Sequence, residues 1–215
     1  MLCMLKDKYI RKSMLIDYWY CPRRFKYRWI DRIERETSYM AHFGTMFHEA
    51  AAQYAISGTV PETEYDFLNE WLSRLVVFDE VYSTNTKIYA VEQEYISDDL
   101  KIKGTIDRID VFDNGTYRIV EYKTGAGANL DMLRRELHFY YLLFTSAEQD
   151  KEVSLLCVFN PRKELYIEFT PTKRMVNSVK KKLNQLRSDT EFKMKWNEYV
   201  CPNCSYFDLC LEEVL

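Results

Sequence analysis

Asp107, Glu121 and Lys123 are the residues of this chain whose types and spacing could do chemistry. Asp107 lies in Lys103-Gly-Thr-Ile-Asp-Arg-Ile-Asp110, and the other two lie in Arg118-Ile-Val-Glu-Tyr-Lys-Thr-Gly125. The two strand-like segments are joined across Asp113-Asn114-Gly115. Two carboxylates offer hard oxygen ligands to a divalent cation such as Mg2+ or Mn2+, and a neighbouring ammonium positions or helps deprotonate a hydrolytic water. Register decides whether they can meet. A two-residue Asn114-Gly115 loop sends Asp107 and Glu121 to opposite faces, because side chains alternate along a strand. A three-residue loop with Gly115 left-handed places Asp107 opposite Glu121 and Lys123 on the same side. It also pairs Asp110 with Arg118 and Ile109 with Ile119, both sensible cross-strand neighbours, so this register is expected.

The elements that must carry these residues follow from periodicity. Ser13 to Trp29 reads as a helix with Ser13 as N-cap, and Phe43 to Ile56 as a second helix ended by Gly58. A third starts near Pro61 and runs through Trp71 and Leu75 towards Tyr82. Lys87 to Ile96, Lys101 to Phe112 and Thr116 to Lys123 alternate as strands; Leu130 to Ser146 returns to helical spacing. Val153 to Phe159 and Leu165 to Phe169 are further strands, and Thr172 to Arg187 is a basic helix. This order predicts an α/β fold with a central mixed β-sheet flanked by helices, in one domain over residues 1–215.

Composition sets bounds. With 47% apolar and 29% charged residues the chain is of ordinary globular type, and 15% aromatics suits large cores or base stacking. No apolar run reaches membrane-spanning length and the N-terminus is too short for a signal-peptide core, so a cytoplasmic protein is expected. The net charge of −3 hides a division. Residues 6 to 36 and residues 160 to 200 each carry ten Lys/Arg against five Asp/Glu, while 37 to 159 carry ten against twenty. Basic arms around an acidic centre suit a phosphodiester substrate, the arms holding phosphates and the carboxylates a metal; solvated helix faces are the plainer alternative. Tyr18, Tyr20, Phe25, Tyr27 and Trp29, interleaved with the basic residues, either stack on a strand of nucleic acid or pack as core.

Six cysteines occur, at 3, 21, 157, 201, 204 and 210. Cys201, Cys204 and Cys210 supply three thiolates within ten residues, and Cys21, in Tyr20-Cys-Pro-Arg-Arg-Phe25, is the best fourth ligand because its flanks mirror the terminal run. Cys157 lies in an apolar strand, where a small buried side chain is the default. One Cys-x-x-Cys pair with a third Cys six residues on and a distant fourth fits an iron–sulfur cluster better than zinc, which stays the alternative. Either metal would staple the first helix to the C-terminal segment.

His48 sits in Phe43-Gly-Thr-Met-Phe-His-Glu-Ala50, and Glu136-Leu-His-Phe-Tyr140 places Glu136 and Tyr140 on one helix face. Together these segments resemble the RecB-like branch of the PD-(D/E)XK nucleases, and most closely its CRISPR-associated exonucleases with an iron–sulfur cluster. The resemblance rests on Cys-Pro-Arg-Arg-Phe, Gly-x-x-x-His, Gly-x-Ile-Asp-Arg, Glu-Tyr-Lys-Thr-Gly, the Glu136–Tyr140 helix and the cysteine triplet, in that order.

The resemblance implies a restriction-endonuclease-like core. It implies His48, Asp107, Glu121 and the Tyr122 carbonyl as metal ligands, Lys123 as the catalytic lysine with Tyr140 beside it, and Cys21, Cys201, Cys204 and Cys210 as ligands of a [4Fe–4S] cluster. One departure stands out. The family's helix motif usually begins with Gln, and here the position is Glu136, which accepts but does not donate when ionised. The implied activity is a metal-dependent exonuclease on single-stranded DNA or frayed ends, acting in CRISPR adaptation with an integrase complex as partner. A stand-alone viral or repair nuclease would carry the same motifs, and a non-catalytic nucleic-acid-binding or scaffold module is the alternative of another class.

Overall fold

Pro22 divides the first helical stretch. A proline lacks the backbone N–H and pushes the residue before it out of the helical region, and Cys21 accordingly sits at φ −160°, ψ 123°. The structure, a computed structural model describing residues 5, 7–35, 39–125 and 129–213, therefore has three pieces where periodicity suggests one helix. They are α1 (Lys12–Tyr20), α2 (Pro22–Phe25) and a π-helical turn at Lys26–Ile30. Ser13 is not the N-cap; Arg11 holds that position, with no side-chain capping bond. Asp17, buried in α1, ties the pieces together by accepting from Arg24 Nε at 2.8 Å, Arg28 at 3.0 Å and Trp29 Nε1 at 2.8 Å. Cys3 lies outside the described residues.

Helix α3 (Tyr39–Ser57) ends on Gly58, whose φ of 70° and N–H bond to the Tyr54 carbonyl at 2.8 Å close the last turn. Helix α4 (Asp66–Tyr82) begins later than Pro61 suggests. The segment before it folds back instead, with the Thr63 N–H and hydroxyl both donating to Asn69 Oδ1 at 2.9 Å.

Five strands follow, β1 (Thr86–Ser97), β2 (Ile102–Phe112), β3 (Tyr117–Tyr122), β4 (Val153–Asn160) and β5 (Leu165–Phe169), hydrogen-bonded in that order. All neighbours are antiparallel except β3 and β4, whose parallel pairing needs the crossover helix α5 (Leu130–Ala147). The fold is α/β, a five-stranded mixed sheet flanked by helices. The β2–β3 turn is the three-residue one: Phe112 N–H reaches the Thr116 carbonyl at 2.8 Å and Gly115 is left-handed at φ 83°. It sets Ile109 opposite Ile119 and Asp110 opposite Arg118.

Alternation along the strands feeds two cores. Ile109, Ile119, Leu156 and Val158 pack with α1, α5 and α6 (Lys173–Ser188); Val120, Tyr122, Cys157 and Phe159 pack with α3 and α4. Tyr18, Phe25 and Tyr27 are core residues and do not offer their faces to a strand of nucleic acid. Within the α4 side Asp110 is fully buried between two arginines, accepting from Arg108 Nε at 2.7 Å and from Arg118 at 2.6 and 3.0 Å. Buried charges persist only when paired in this way.

The C-terminal segment returns to the N-terminal one. Helix α7 (Phe207–Glu212) and a 3-10 turn at Cys201–Asn203 bring Cys201, Cys204 and Cys210 to a pocket also lined by Cys21. The expected closed four-cysteine set is not present as such. Among the described residues no three of these thiols lie within 4.8 Å of one another, whereas tetrahedral zinc at about 2.3 Å holds its sulfurs about 3.8 Å apart. The sulfurs accept backbone N–H bonds, Cys21 from Lys195 at 3.3 Å and Cys201 from Asn197 at 3.2 Å.

Candidate metal centre

The acidic centre forms where β2 and β3 part. Their ladder ends at Arg108 and Val120, leaving Asp107 and Glu121 level with one another just beyond it. There Asp107 stops pairing through its backbone and uses its side chain: Oδ2 accepts the Tyr122 N–H at 2.7 Å. That bond fixes the carboxylate and leaves Oδ1 directed at His48, whose Nδ1 is 3.5 Å away. His48 comes from α3, which is held against the sheet by Phe47 stacking edge-on to Tyr122 with ring centroids 5.7 Å apart. Gly44, one turn before His48, makes this approach possible: a Cβ there would stand 3.0 Å from Thr124 Oγ1.

Glu92 completes the group, and no motif in the sequence points to it. Its Oε1 lies 3.2 Å from His48 Nδ1, and His48, Glu92 and Asp107 bring one ligand atom each within 4.8 Å of the others. Glu92 sits on β1 between Val91, opposite Arg108, and Gln93, opposite Ile106, so it is level with Asp107. Its φ of 44° is left-handed, a conformation that costs a residue with a Cβ about 1 kcal/mol or more. The only advance signal was an acidic residue in a strand beside β2, too common to single out.

Glu121 is buried, and its two oxygens are used differently. Oε1 receives both Lys12 Nζ at 2.5 Å and Lys123 Nζ at 2.7 Å. Oε2, equally buried, has no hydrogen-bond partner among the described residues. A buried carboxylate oxygen left bare is costly unless something outside the protein fills it. Asp107 Oδ1, His48 and Glu92 make a compact oxygen-rich donor set with one imidazole, which suits a hard divalent cation such as Mg2+ or Mn2+; Glu121, expected with them, stands outside that 4.8 Å group.

Electrostatics point the same way. Burial, reinforced by the Glu121 charge, pushes the Asp107 carboxyl well above the usual carboxylate range. Burial also opposes the Glu121 charge, yet Lys12 and Lys123 outweigh it and hold Glu121 below that range. For His48, burial works against protonation, but Glu92, Asp107 and Glu121 raise it above the ordinary imidazole value. Lys123, disfavoured by burial and by Lys12, is still raised by Glu121 and Glu136. It also donates to Glu136 at 2.5 Å.

The remaining expected residues sit at the margin. Tyr140 is buried in the core beneath the site, its ring 4.6 Å from Lys12 Nζ. Tyr122 contributes its N–H to Asp107, while its side chain lies in the α3–α4 core. Away from the centre, a broad groove of about 1150 Å³ is lined by Lys8, Arg24, Arg28, Arg32, Trp29 and Lys103 among others.

A family model described as the PD-(D/E)XK nuclease superfamily matches residues 72–211. A solved structure titled "Crystal structure of SSO0001" superposes with a TM-score of 0.49 and 19% identity, covering 95% of this chain and 86% of that one. None of the curated proteins compared matches the chain. Among the described residues no helix is long and apolar enough to cross a membrane.

Proposed function

Because the chain belongs to the PD-(D/E)XK nuclease superfamily, we propose that its acidic centre makes it a metal-dependent deoxyribonuclease acting on single strands or frayed DNA ends. The observation that carries this is Glu121 Oε2, buried and without a partner among the described residues, beside the His48, Glu92 and Asp107 group. In this proposal Asp107 Oδ1, Glu121 Oε2, His48, Glu92 and the Tyr122 carbonyl hold the cation. When bound, Mg2+ or Mn2+ polarises the phosphodiester and makes a water acidic enough to attack.

The protein's own residues do the rest. Lys123, kept protonated by its two glutamates, is not a base; its ammonium orients the attacking water and offsets charge at phosphate. Tyr122 N–H fixes Asp107 so that one oxygen is presented. The groove with Trp29 and its basic lining supplies phosphate contacts and stacking surface for a strand.

The cysteine pocket holds a [4Fe–4S] cluster in the same proposal. Four cysteines line one pocket and two of their sulfurs accept backbone N–H bonds, which suits a shared metal site there, while the cluster type rests on the sequence resemblance. Placement in CRISPR adaptation beside an integrase rests on the sequence resemblance, and the gene neighbourhood tests it.

The direct test uses purified protein with end-labelled single-stranded and duplex DNA. Cleavage should require Mg2+ or Mn2+, stop with EDTA, and fall about 100-fold or more in Asp107→Asn, Glu121→Gln and Lys123→Ala while the variants stay folded. Metal-independent cleavage, or wild-type rates in those variants, would overturn the reading.

A further inference from the structure

Lys12 is the one cation of the acidic cluster that no sequence motif announces. Its position is fixed from both sides. Ile10 docks alongside β2, its N–H on the Lys101 carbonyl at 2.9 Å and its carbonyl receiving Lys103 N–H at 3.1 Å. Two residues later α1 begins, and Lys12 turns inward over the Tyr140 ring. Its ammonium stands 2.5 Å from Glu121 Oε1 and 3.7 Å from Glu136 Oε2. Lys123 reaches the same two oxygens at 2.7 and 2.5 Å. Two lysines thus share two carboxylates.

We propose that Lys12 is a second lysine of the catalytic centre: it clamps Glu121 by Oε1, so that Oε2 alone is offered to the cation, and presents its ammonium to a non-bridging oxygen of the substrate phosphate. The proposal rests on the nuclease reading above. Three features carry it. Glu121 is 3% exposed, so its pairing is not the weakly held surface kind. Lys12 is 20% exposed, so its side chain is not sealed within the core as that of Glu121 is. An ammonium has three donors; Glu121 Oε1 takes one, while Glu136 at 3.7 Å faces it as a charge without a hydrogen bond, which leaves donors for phosphate. Glu136, where a donor was expected, also has a physical role here: it accepts from Lys123 at 2.5 Å and sets a negative charge 3.7 Å from Lys12.

The two roles have opposite effects on metal and on cleavage, which makes them testable. Mn2+ binding by calorimetry and cleavage of labelled single-stranded DNA at saturating Mn2+ are compared for wild type, Lys12→Ala, Lys12→Met and Lys12→Arg. Lys12→Met keeps the stem over Tyr140, which preserves the test if the alanine variant does not fold. With one of the two ammoniums on Glu121 removed and Lys123 left as the other, the Ala and Met variants should bind Mn2+ more tightly than wild type. They should nevertheless cleave about 100-fold more slowly, as on losing one charge-stabilising donor, and Lys12→Arg should recover part of the rate. Unchanged or weaker Mn2+ binding, or wild-type cleavage, would overturn the proposal. If the wild-type protein cleaves no DNA, the nuclease reading fails by itself, and the Mn2+ affinities still decide the clamp.

Discussion

Glu92 Oε1 stands 3.2 Å from His48 Nδ1 although 44 residues separate them. One partner lies in a recognisable helix motif, and the other occupies a strand position bent into the left-handed region. Glu92→Gln should weaken Mn2+ binding about tenfold, the cost of losing a group that ligates or orients a ligand. Glu92→Gly should weaken it similarly yet stabilise the metal-free protein by about 1 kcal/mol, because glycine relieves the strained φ. Calorimetry and urea denaturation separate the two effects; a destabilised glycine variant would mean that the backbone at 92 is held there without strain.

The metal-free protein should lose stability as pH rises above about 4, the ordinary carboxylate pKa. Asp107 keeps its proton in the folded state, owing to burial and then to Glu121, after the unfolded chain has released it. Between the two pKa values the folded state binds more protons, so its stability falls with pH. His48, raised in the folded state, contributes stability that is full below about 6.5 and is lost as pH rises through its folded value. Glu121 is depressed, so its contribution is lost only below about 4. Thermal melts from pH 5 to 8 with and without Mn2+ check this. The decline should be smaller in Asp107→Asn, and Mn2+ affinity should rise over the same range as protons cease to compete.

Asp110→Ala should destabilise the protein by about 3 kcal/mol or more, because it leaves Arg108 and Arg118 buried without their shared carboxylate. Urea denaturation measures it. A loss under 1 kcal/mol would show that Asp79, Tyr82 and Ser83, the other acceptors of these arginines, suffice.

Anaerobically purified protein should be brown and contain iron, and Cys21→Ser should reduce both iron content and thermal stability. Elemental analysis showing zinc without iron would assign the pocket to a different metal.

The hairpin was legible in the sequence because, of the two loop lengths that Asp113-Asn114-Gly115 allows, the three-residue one pairs Asp110 with Arg118 and Ile109 with Ile119. The Leu165–Phe169 strand was equally plain, bounded by turn residues on both sides. The first helix was overestimated because its apolar spacing continues through Cys21-Pro22, where backbone geometry overrides periodicity. Tyr18, Phe25 and Tyr27 have the same composition whether they stack on bases or fill a core, and only burial distinguishes the two. Glu92 and Lys12 were hidden for a common reason: each meets the centre through tertiary placement, Lys12 reaching Glu121 across 109 residues, and neither has a local pattern to mark it.

The pocket that gathers Cys21 with Cys201, Cys204 and Cys210 also imposes an order on synthesis. His48, Glu92, Asp107, Glu121 and both strands of the hairpin have been made before residue 125, whereas Cys21 must wait until the last of its companions, Cys210, has been translated. Contacts that span most of a chain close late. The acidic cluster can therefore begin to assemble on a nascent chain whose N-terminal helices still lack their C-terminal partner. Truncation shortly before residue 201 should arrest the protein at that stage, with the sheet formed, α1 docked on it through Ile10, and Cys21 without its three companions.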